Sequence, residues 1–246
     1  MTDKRSLLHV PPSWERAFFG PPYLDTPVLF NRWVHEIVAA ASTGSTCMVL
    51  DIGAGPASPF FRGPGRHVIG VDIDPVVMTN KNLDEAFVTD GRTFPLADNS
   101  VDVAQSTYVL EHLEDPLEHF REVSRVLKPG GHFLFLTVNA WHPAVLLFRA
   151  APRRVQELLE QQFVAKDPAG EEYPVFFRAN STRQVRRLAL QSGLKVLALP
   201  RREEAPYYFR RFLPLWLAAA GYTFVSQRLP LMRPIATTLY GCLQKQ

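Results

Sequence analysis

Three aspartates end or follow short apolar stretches of the sequence, and their spacing suits the binding of one polar ligand. Asp51 lies within VLDIGAG, Asp72 within GVDID, and Asp90 directly after AFVT. The glycines at 53 and 55 let a ligand approach the backbone closely. A carboxylate ahead of such a turn repels a pyrophosphate but suits an ammonium group. An acidic residue about 20 positions beyond the turn is placed to accept the hydroxyls of a ribose.

Together these carboxylates fit an amino acid that is joined to an adenosine through a positively charged sulfur. Asp51 faces the ammonium group in this interpretation, Asp72 the ribose, and Asp90 the exocyclic amine of the base. No phosphate is required. A dinucleotide fingerprint has a third glycine where this chain has Ser58, so a nicotinamide-dependent dehydrogenase is the less favoured alternative.

The elements that must position these residues are strands alternating with helices. Predicted strands cover 47–52, 67–71, 86–89, 101–106, 131–138, 194–199 and 237–243, and predicted helices cover 14–19, 28–38, 117–127, 155–163, 182–193 and 208–226. The helix over 117–127 is expected to end at the turn Pro129-Gly130-Gly131. Such alternation predicts a mostly parallel sheet with helices on both faces, which binds ligands at the carboxyl ends of its strands.

Four blocks of sequence resemble the class I S-adenosylmethionine-dependent methyltransferases. They are VLDIGAGPA (49–57), GVDIDP (70–75), the segment from Asp90 through PLADNSVDVAQSTYVLEHLEDP (95–116), and REVSRVLKPGGHFLFLTVN (121–139). More narrowly, they are similar to the small-molecule group that includes ubiquinone and menaquinone methyltransferases. The resemblance implies an α/β, Rossmann-like fold: a seven-stranded, mostly parallel sheet with an antiparallel last strand and a helical insertion after the fifth strand.

The resemblance also implies site residues for S-adenosyl-L-methionine. The cofactor-binding residues would be Asp51, Gly53, Ala54, Gly55, Asp72, Ile73, Asp90, Gly91, Gln105 and Ser106. Tyr108, Trp141 and His142 are the candidate substrate residues. His112 is the candidate general base, needed only if the acceptor enters protonated. No Cys or Cys/His spacing suits a metal, so no metal site is predicted.

The methyl acceptor is expected to be a small metabolite, hydrophobic or anionic. DNA amino methylation relies on Asn or Asp followed by two prolines and an aromatic residue, whereas this chain has Gln105-Ser106-Thr107-Tyr108 there. Cytosine-ring methylation needs a cysteine after the fourth strand, and neither Cys47 nor Cys242 is near it. Nucleic acid is therefore not expected as the substrate. A cofactor-binding protein without transferase activity is a further alternative.

The charge of the chain divides between two halves. Residues 1–138 hold 11 Lys and Arg against 17 Asp and Glu, whereas residues 139–246 hold 16 against 7. We predict a single domain over 1–246. Its parts would be N-terminal helices (1–44), a cofactor-binding core (45–139), a lid-like insertion (140–180) and the C-terminal part of the sheet (181–246).

The C-terminal half also contains an apolar helix flanked by arginines. Residues 212–225 carry no charge and follow the pair Arg210-Arg211. The helix at 209–226 is too short for a membrane span, which needs about 18 apolar residues. It is expected to pack on the sheet, on a second subunit of an oligomer, or against a membrane surface. The two distant cysteines favour a reducing cytoplasm, with membrane association left open.

Overall fold

The computed structural model describes residues 26–42, 44–57, 62–156, 173–203 and 213–246. The helices are α1 (Thr26–Ala41), α2 (Pro116–Val126), α3 (Pro143–Ala150), α4 (Thr182–Gln191) and α5 (Leu213–Arg228). Short 3-10 helices cover Pro75–Thr79, Leu110–His112 and Pro230–Ile235. The strands are β1 (Cys47–Ile52), β2 (Arg66–Asp72), β3 (Glu85–Val88), β4 (Val101–Thr107), β5 (Leu127–Val138), β6 (Leu194–Ala198), β7 (Arg201–Arg202) and β8 (Thr238–Lys245).

The strands form one mixed sheet in the order β3-β2-β1-β4-β5-β8-β6, and the two-residue β7 pairs with β8. Strands β1 to β5 pair in parallel, and β6 runs antiparallel to β8. The predicted α/β fold is confirmed, with β7 as an additional short strand. From β1 the strands follow one another to β2 and β3 on one side, and β4 and β5 lie on the other side, so the strand order reverses between β1 and β4. Open α/β sheets bind ligands at such a point.

A continuous apolar core holds the sheet together. The first strand is apolar along nearly its whole length, and Leu50 and Ile52 are buried among the side chains of β4 and β5. From β5, Phe133 and Phe135 enter the same core, and Phe120 of α2 meets Phe133 edge to face at 5.8 Å. The sequence of a strand that is buried on both faces is a continuous run of apolar residues, without alternating polar ones. This is why β1 was recognisable in the sequence.

The segment after α2 differs from the prediction. The helix ends at Val126, and β5 begins at once with Leu127, so Pro129-Gly130-Gly131 lies within a strand and not in a turn that ends the helix. Leu127 pairs with Val101 but His132 pairs with Val103, so residues 128–131 bulge out of the ladder. Pro129 has no N–H to donate to a neighbouring strand, which suits a bulge.

Several predicted helical segments cannot be compared. The helix at 14–19, most of the helix at 155–163 and the start of the helix at 208–226 lie outside the described residues. For the helix predicted at 208–226, α5 confirms the part from Leu213 onward. Among the described helices, none combines the length and the apolar character that crossing a bilayer requires.

The chain divides into two compact units, and each is described by itself. The sheet unit comprises residues 31–138, 173–200 and 239–246, and the helical unit comprises residues 1–30, 139–172 and 201–238. The sheet unit contains β1 to β6 and most of β8. The helical unit contains α3, α5 and the 3-10 helix Pro230–Ile235. The finer division of the sequence into a core, an insertion and a C-terminal part stays a prediction.

Candidate functional site

The glycine turn after β1 has a backbone that needs glycine. Gly53 and Gly55 have φ angles of 73° and 53°, in the region that residues with a side chain rarely adopt. The Gly53 N–H donates to the carbonyl of Val71 at 2.8 Å, which ties the turn to β2. A Cβ atom placed on Gly53 would overlap the side chain of Val109. This turn therefore presents bare backbone at the carboxyl end of the sheet.

Asn80 fixes the same turn from the side. Its Nδ2 donates to the carbonyls of Ala54 at 3.3 Å and Gly55 at 3.1 Å, and its Oδ1 accepts from the N–H of Asn82 at 3.0 Å. The side chain is buried, so these bonds are shielded from competing water. Sequence reasoning missed Asn80, because a single Asn after a short helix carries no periodic signal.

Asp72, at the end of β2, is held in place by two backbone groups. Its Oδ2 accepts from the N–H of Gly55 and its Oδ1 from the N–H of Asp74, at 2.8 and 2.9 Å. An ionised carboxylate has about four acceptor positions, so this one keeps acceptor capacity for ligand hydroxyls. Asp72 thus links the glycine turn to the tip of β2.

Asp51 is a buried carboxyl group that faces β4. Its exposure is 2%, it pairs in register with Gln105, and the Nε2 of Gln105 donates to its Oδ1. The pKa of Asp51 is raised to about 7, mainly by burial; the hydrogen bond from Gln105 opposes this shift, and the charge of Asp72 adds to it. The group is therefore poised between its neutral and ionised forms near neutral pH. A cation placed beside it would favour the ionised form.

Ile73, Asp90 and Gly91 come together at the ends of β2 and β3. Ile73 is 49% exposed, and a Cβ atom on Gly91 would stand 3.1 Å from its Cγ2. Asp90 turns its Oδ1 toward the backbone N–H groups of Thr93 and Arg92, each at 2.9 Å, and these bonds lower its pKa. An exposed apolar side chain thus lies next to glycine backbone and an ionised carboxylate.

The predicted site residues Ser106 and Tyr108, at the end of β4, have different environments. Ser106 is fully buried, and its Oγ has no hydrogen-bond partner among the described residues. Its binding role stays a prediction, since its hydroxyl is not exposed at the strand end. Tyr108 has a φ of 57°, uncommon for a residue with a side chain, and its N–H donates to the carbonyl of Leu136 at 2.8 Å. Such strain occurs often at functional sites.

Glu111 points into the sheet unit and belongs to a buried polar chain. Asn180 Nδ2 donates to Thr137 Oγ1 at 2.6 Å, and Thr137 Oγ1 donates to Glu111 Oε2 at 2.8 Å. All three side chains are buried, and this burial raises the pKa of Glu111. The backbone carbonyl of Glu111 also accepts from Phe176 N–H at 2.7 Å. These hydrogen bonds anchor the segment after β4 to β5 and to the residues before α4.

His112 is oriented by a backbone carbonyl and not by its neighbour Glu111. Its Nδ1 lies 3.0 Å from the carbonyl oxygen of Pro174, and its ring meets that of Tyr173 edge to face at 6.2 Å. A carbonyl oxygen can only accept, so the proton sits on Nδ1 and Nε2 keeps a lone pair. This tautomer is the one that a general base acting through Nε2 requires.

Trp141 and His142 belong to the helical unit. Trp141 is 58% exposed. His142 caps α3 by accepting the N–H of Ala144 at its Nδ1, 3.3 Å away, and its Nε2 lies 3.4 Å from Glu203 Oε1. A capping role explains the position of His142 without any ligand. The assignment of both residues to substrate stays a prediction.

Comparison with known proteins identifies the domain that carries this site. Residues 50–135 match the family described as methyltransferase domain. The chain is 34% identical over 135 residues to an uncharacterized methyltransferase of Mycobacteroides abscessus. This alignment covers 50% of this chain and 51% of that protein. The chain thus spans about half the length of the curated relatives that it matches.

Solved structures show the same fold at low sequence identity. The geranyl diphosphate C-methyltransferase of Streptomyces coelicolor A3(2), crystallised with S-adenosyl-L-homocysteine, aligns with a TM-score of 0.53, 15% identity, and coverage of 88% of this chain and 80% of its own. An S-adenosylmethionine-dependent methyltransferase of Mesorhizobium loti aligns with a TM-score of 0.53, 18% identity, and coverage of 87% and 96%. Residues 50–135 are therefore similar to the methyltransferase domain family, and the chain has the fold of these S-adenosylmethionine-dependent methyltransferases. The narrower resemblance to ubiquinone and menaquinone enzymes stays a prediction.

Proposed function

We propose that this protein transfers a methyl group from S-adenosyl-L-methionine to a small metabolite. One observation carries the proposal: the carboxyl ends of β1, β2 and β4 hold Asp51, Asp72 and Gln105 around a glycine turn whose backbone is fixed. Two carboxylates beside bare backbone suit a cationic amino acid joined to a nucleoside. They do not suit a phosphate, which they would repel.

Each part of the cofactor would have a matching group in the site. Asp51 would be the partner for the ammonium group, and Asp72 would accept from the ribose hydroxyls through its remaining lone pairs. The exposed side chain of Ile73 would contact the adenine, and Asp90 would accept from its amine beside the Gly91 backbone. When bound, the cofactor supplies an electrophilic methyl group on a positively charged sulfur. The residues of this chain bind and orient it, and positioning accounts for much of the acceleration in such displacements.

His112 is the proposed general base for an acceptor that enters protonated. Its Nε2 keeps a lone pair because Nδ1–H is bound to Pro174. A base of this kind contributes about 100-fold or more to turnover. Replacing His112 with Gln should then lower kcat about 100-fold and flatten its rise with pH. An unchanged pH profile in the variant would assign His112 to structure.

The cofactor assignment is tested by calorimetry with S-adenosyl-L-methionine. Asp72→Asn removes acceptor positions that serve both Gly55 and the ribose, so affinity should fall about 30-fold, in line with the loss of charge-assisted hydrogen bonds. Asp84→Asn is the matched control: Asp84 also accepts from backbone, the N–H of Val68 at 2.9 Å, but near the opposite end of β2. Equal affinities for the wild type and Asp72→Asn would contradict the assignment.

The acceptor is proposed to be a small hydrophobic or anionic metabolite and not a nucleic acid. The protein is proposed to act in the cytoplasm. Labelled cofactor supplied with aqueous and lipid fractions of a host extract identifies the fraction that receives the methyl group. Formation of S-adenosyl-L-homocysteine with one fraction separates a transferase from a protein that binds the cofactor without turnover. Cofactor binding with no turnover in any fraction would favour that second alternative.

A further inference from the structure

Residues 90–98, between β3 and β4, carry the groups proposed to meet the adenine and have no helix or strand of their own. The polar backbone groups of such a segment need partners elsewhere in the protein. Helix α2, which follows β4 in the chain, supplies several of these partners through its side chains. The shape of the proposed adenine site therefore depends on side chains of another element.

An ion pair on α2 holds the backbone of Phe94 from both sides. The Phe94 N–H donates to Glu122 Oε1 at 2.6 Å, and its carbonyl accepts from Arg125 Nη2 at 3.1 Å. Arg125 donates to both carboxylate oxygens of Glu122, at 2.7 and 2.8 Å, and to the carbonyl of Leu96 at 2.8 Å. Burial alone would raise the pKa of Glu122, but the hydrogen bonds from Arg125 and from the Phe94 N–H lower it. The pair is therefore ionised near neutral pH.

The side chain of Phe94 adds an apolar anchor to the same helix. It is 4% exposed, and its ring meets that of His119 edge to face at 5.9 Å. Burial lowers the pKa of His119 to about 4, so the ring is neutral at neutral pH, and the backbone of Gly91 opposes this shift. Helix α2 is therefore close to the segment at Gly91 as well as at Phe94.

The carboxylate of Asp90 is fixed by the residues that directly precede Phe94. Its Oδ1 accepts from the N–H groups of Arg92 and Thr93, each at 2.9 Å, and from Thr93 Oγ1 at 3.2 Å. Within the described part of the chain these bonds use Oδ1 alone, so Oδ2 keeps its acceptor capacity for a ligand. An acceptor that is fixed in place favours a base with an amine over one with a carbonyl oxygen, which it would repel.

We propose that Glu122 and Arg125 set the preference of the site for a 6-amino purine over a 6-oxo purine. This inference rests on the proposed function, since it concerns the adenine of S-adenosyl-L-methionine. Both are positioning residues, because they act through Phe94 and not on the ligand. Removal of one partner leaves the other as an unpaired charge and breaks the bonds that hold this backbone. Asp90 would then not be held in one place, and a directional hydrogen bond to the amine would weaken.

The test is calorimetry of the full chain with S-adenosyl-L-homocysteine and with S-inosyl-L-homocysteine, in which a carbonyl oxygen replaces the 6-amino group. The wild type should bind the amino compound about 30-fold more tightly, as expected for a hydrogen bond to a charged group. Glu122→Ala should lower this preference at least ~5-fold, because a misplaced acceptor binds the amine poorly. Arg125→Lys should lower it as well, since a lysine keeps the charge but lacks the planar fork that joins Glu122 to two carbonyls.

Asp102→Ala is the matched control, since Asp102 also joins a backbone N–H, that of Met48 at 2.8 Å, to a cation, Lys128 Nζ at 2.8 Å. These residues lie near the amino ends of β1 and β4, away from the proposed site, so the preference should stay at the wild-type value.

Thermal melting identifies the folded variants, and Arg125→Lys decides the question if Glu122→Ala does not fold. An unchanged preference in the folded variants would overturn the inference. An equal loss in Asp102→Ala would also overturn it, because general destabilisation would then explain the loss. A wild type that binds both compounds equally would contradict this inference alone, whereas one that binds neither would contradict the proposed function itself.

Discussion

The large apolar core lies in the sheet unit, whereas the helical unit leaves several of its described apolar side chains exposed. In the sheet unit, buried polar groups such as Asp51 and Glu111 are paired with specific donors, and the large apolar side chains form the core. In the helical unit, Leu147 and Leu231 are exposed, whereas Thr223 and Ser226 are buried. The difference indicates that the packing of the sheet unit supports the polar site, whereas the exposed apolar side chains of the helical unit contribute little to the buried core.

Single substitutions should have different effects on stability and binding in the two units. In the sheet unit each site residue depends on contacts with other strands, so changes there should affect both stability and binding. In the helical unit the exposed leucines contribute little buried area to the fold. The largest expected effects therefore lie in the sheet unit and the smallest at the exposed residues of α5.

Gly53→Ala should give the largest loss of stability among substitutions in the candidate site. The new methyl group meets Val109, and the backbone stays in a conformation that favours glycine. Overpacking and backbone strain together should lower the free energy of unfolding by about 3 kcal/mol, measured by urea denaturation. Gly65→Ala is the control, because Gly65 has a similar φ of 71° but open space around it. It should cost about 1 kcal/mol. Equal costs at the two positions would contradict the role of Val109.

Asp51→Asn should change how stability depends on pH. The folded-state pKa of Asp51, about 7, lies above the ordinary value of 3.8. Its contribution is therefore fully present below about pH 4 and is lost as the pH rises to about 7, because over this range the unfolded chain releases the proton that the folded protein keeps. Between pH 5.5 and 8.5 the wild type should lose about 2 kcal/mol more unfolding free energy than Asp51→Asn.

Urea denaturation of both proteins without cofactor at several pH values measures this difference. Cofactor affinity gives an independent check, since a cation beside Asp51 favours its ionised form. We expect the wild type to bind S-adenosyl-L-methionine more tightly at pH 8 than at pH 6, and this gain should be smaller in Asp51→Asn. Parallel stability curves for the two proteins would show that Asp51 ionises in the folded state as easily as in water.

Leu217→Gln should have the smallest effect on folding. Leu217 is 56% exposed on α5, and substitutions at such positions usually change the unfolding free energy by less than about 0.5 kcal/mol. Leu50→Gln, in the core of the sheet unit, is the contrasting variant, and burying an amide without partners there should cost more than about 3 kcal/mol. A large loss in Leu217→Gln would mean that this face already packs within the protein, which would remove the contrast between the units.

The features that the sequence predicted well are those encoded locally. Apolar runs such as 47–52 identify strands buried on both faces, and the glycines that follow identify a turn. The positions of Asp51 and Asp72 at neighbouring strand ends follow from the parallel alternation of strands and helices. In the structure the N–H of Gly55 donates to Asp72, which joins the two motifs, and the charge of Asp72 raises the pKa of Asp51.

The features that it missed depend on distant pairing. The start of β5 at Leu127 is set by its register with β4, which leaves residues 128–131 bulged, and local pattern alone reads this segment as a helix end. The hydrogen bond from Asn180 to Thr137 joins residues 43 positions apart, and the one from Thr137 to Glu111 joins residues 26 positions apart. Asn80 reaches back 25 positions to Gly55. No periodicity in the sequence reports contacts of this kind.

The hydrogen bonds of Asn80 have a consequence for the energetics of ligand capture. A glycine-rich loop loses more conformational entropy on becoming ordered than any other kind of segment. Because Asn80 already holds the carbonyls of Ala54 and Gly55, that entropy is lost during folding and not during association. The turn meets its ligand preorganised, so more of the interaction energy remains for affinity, and association need not wait for the loop to order.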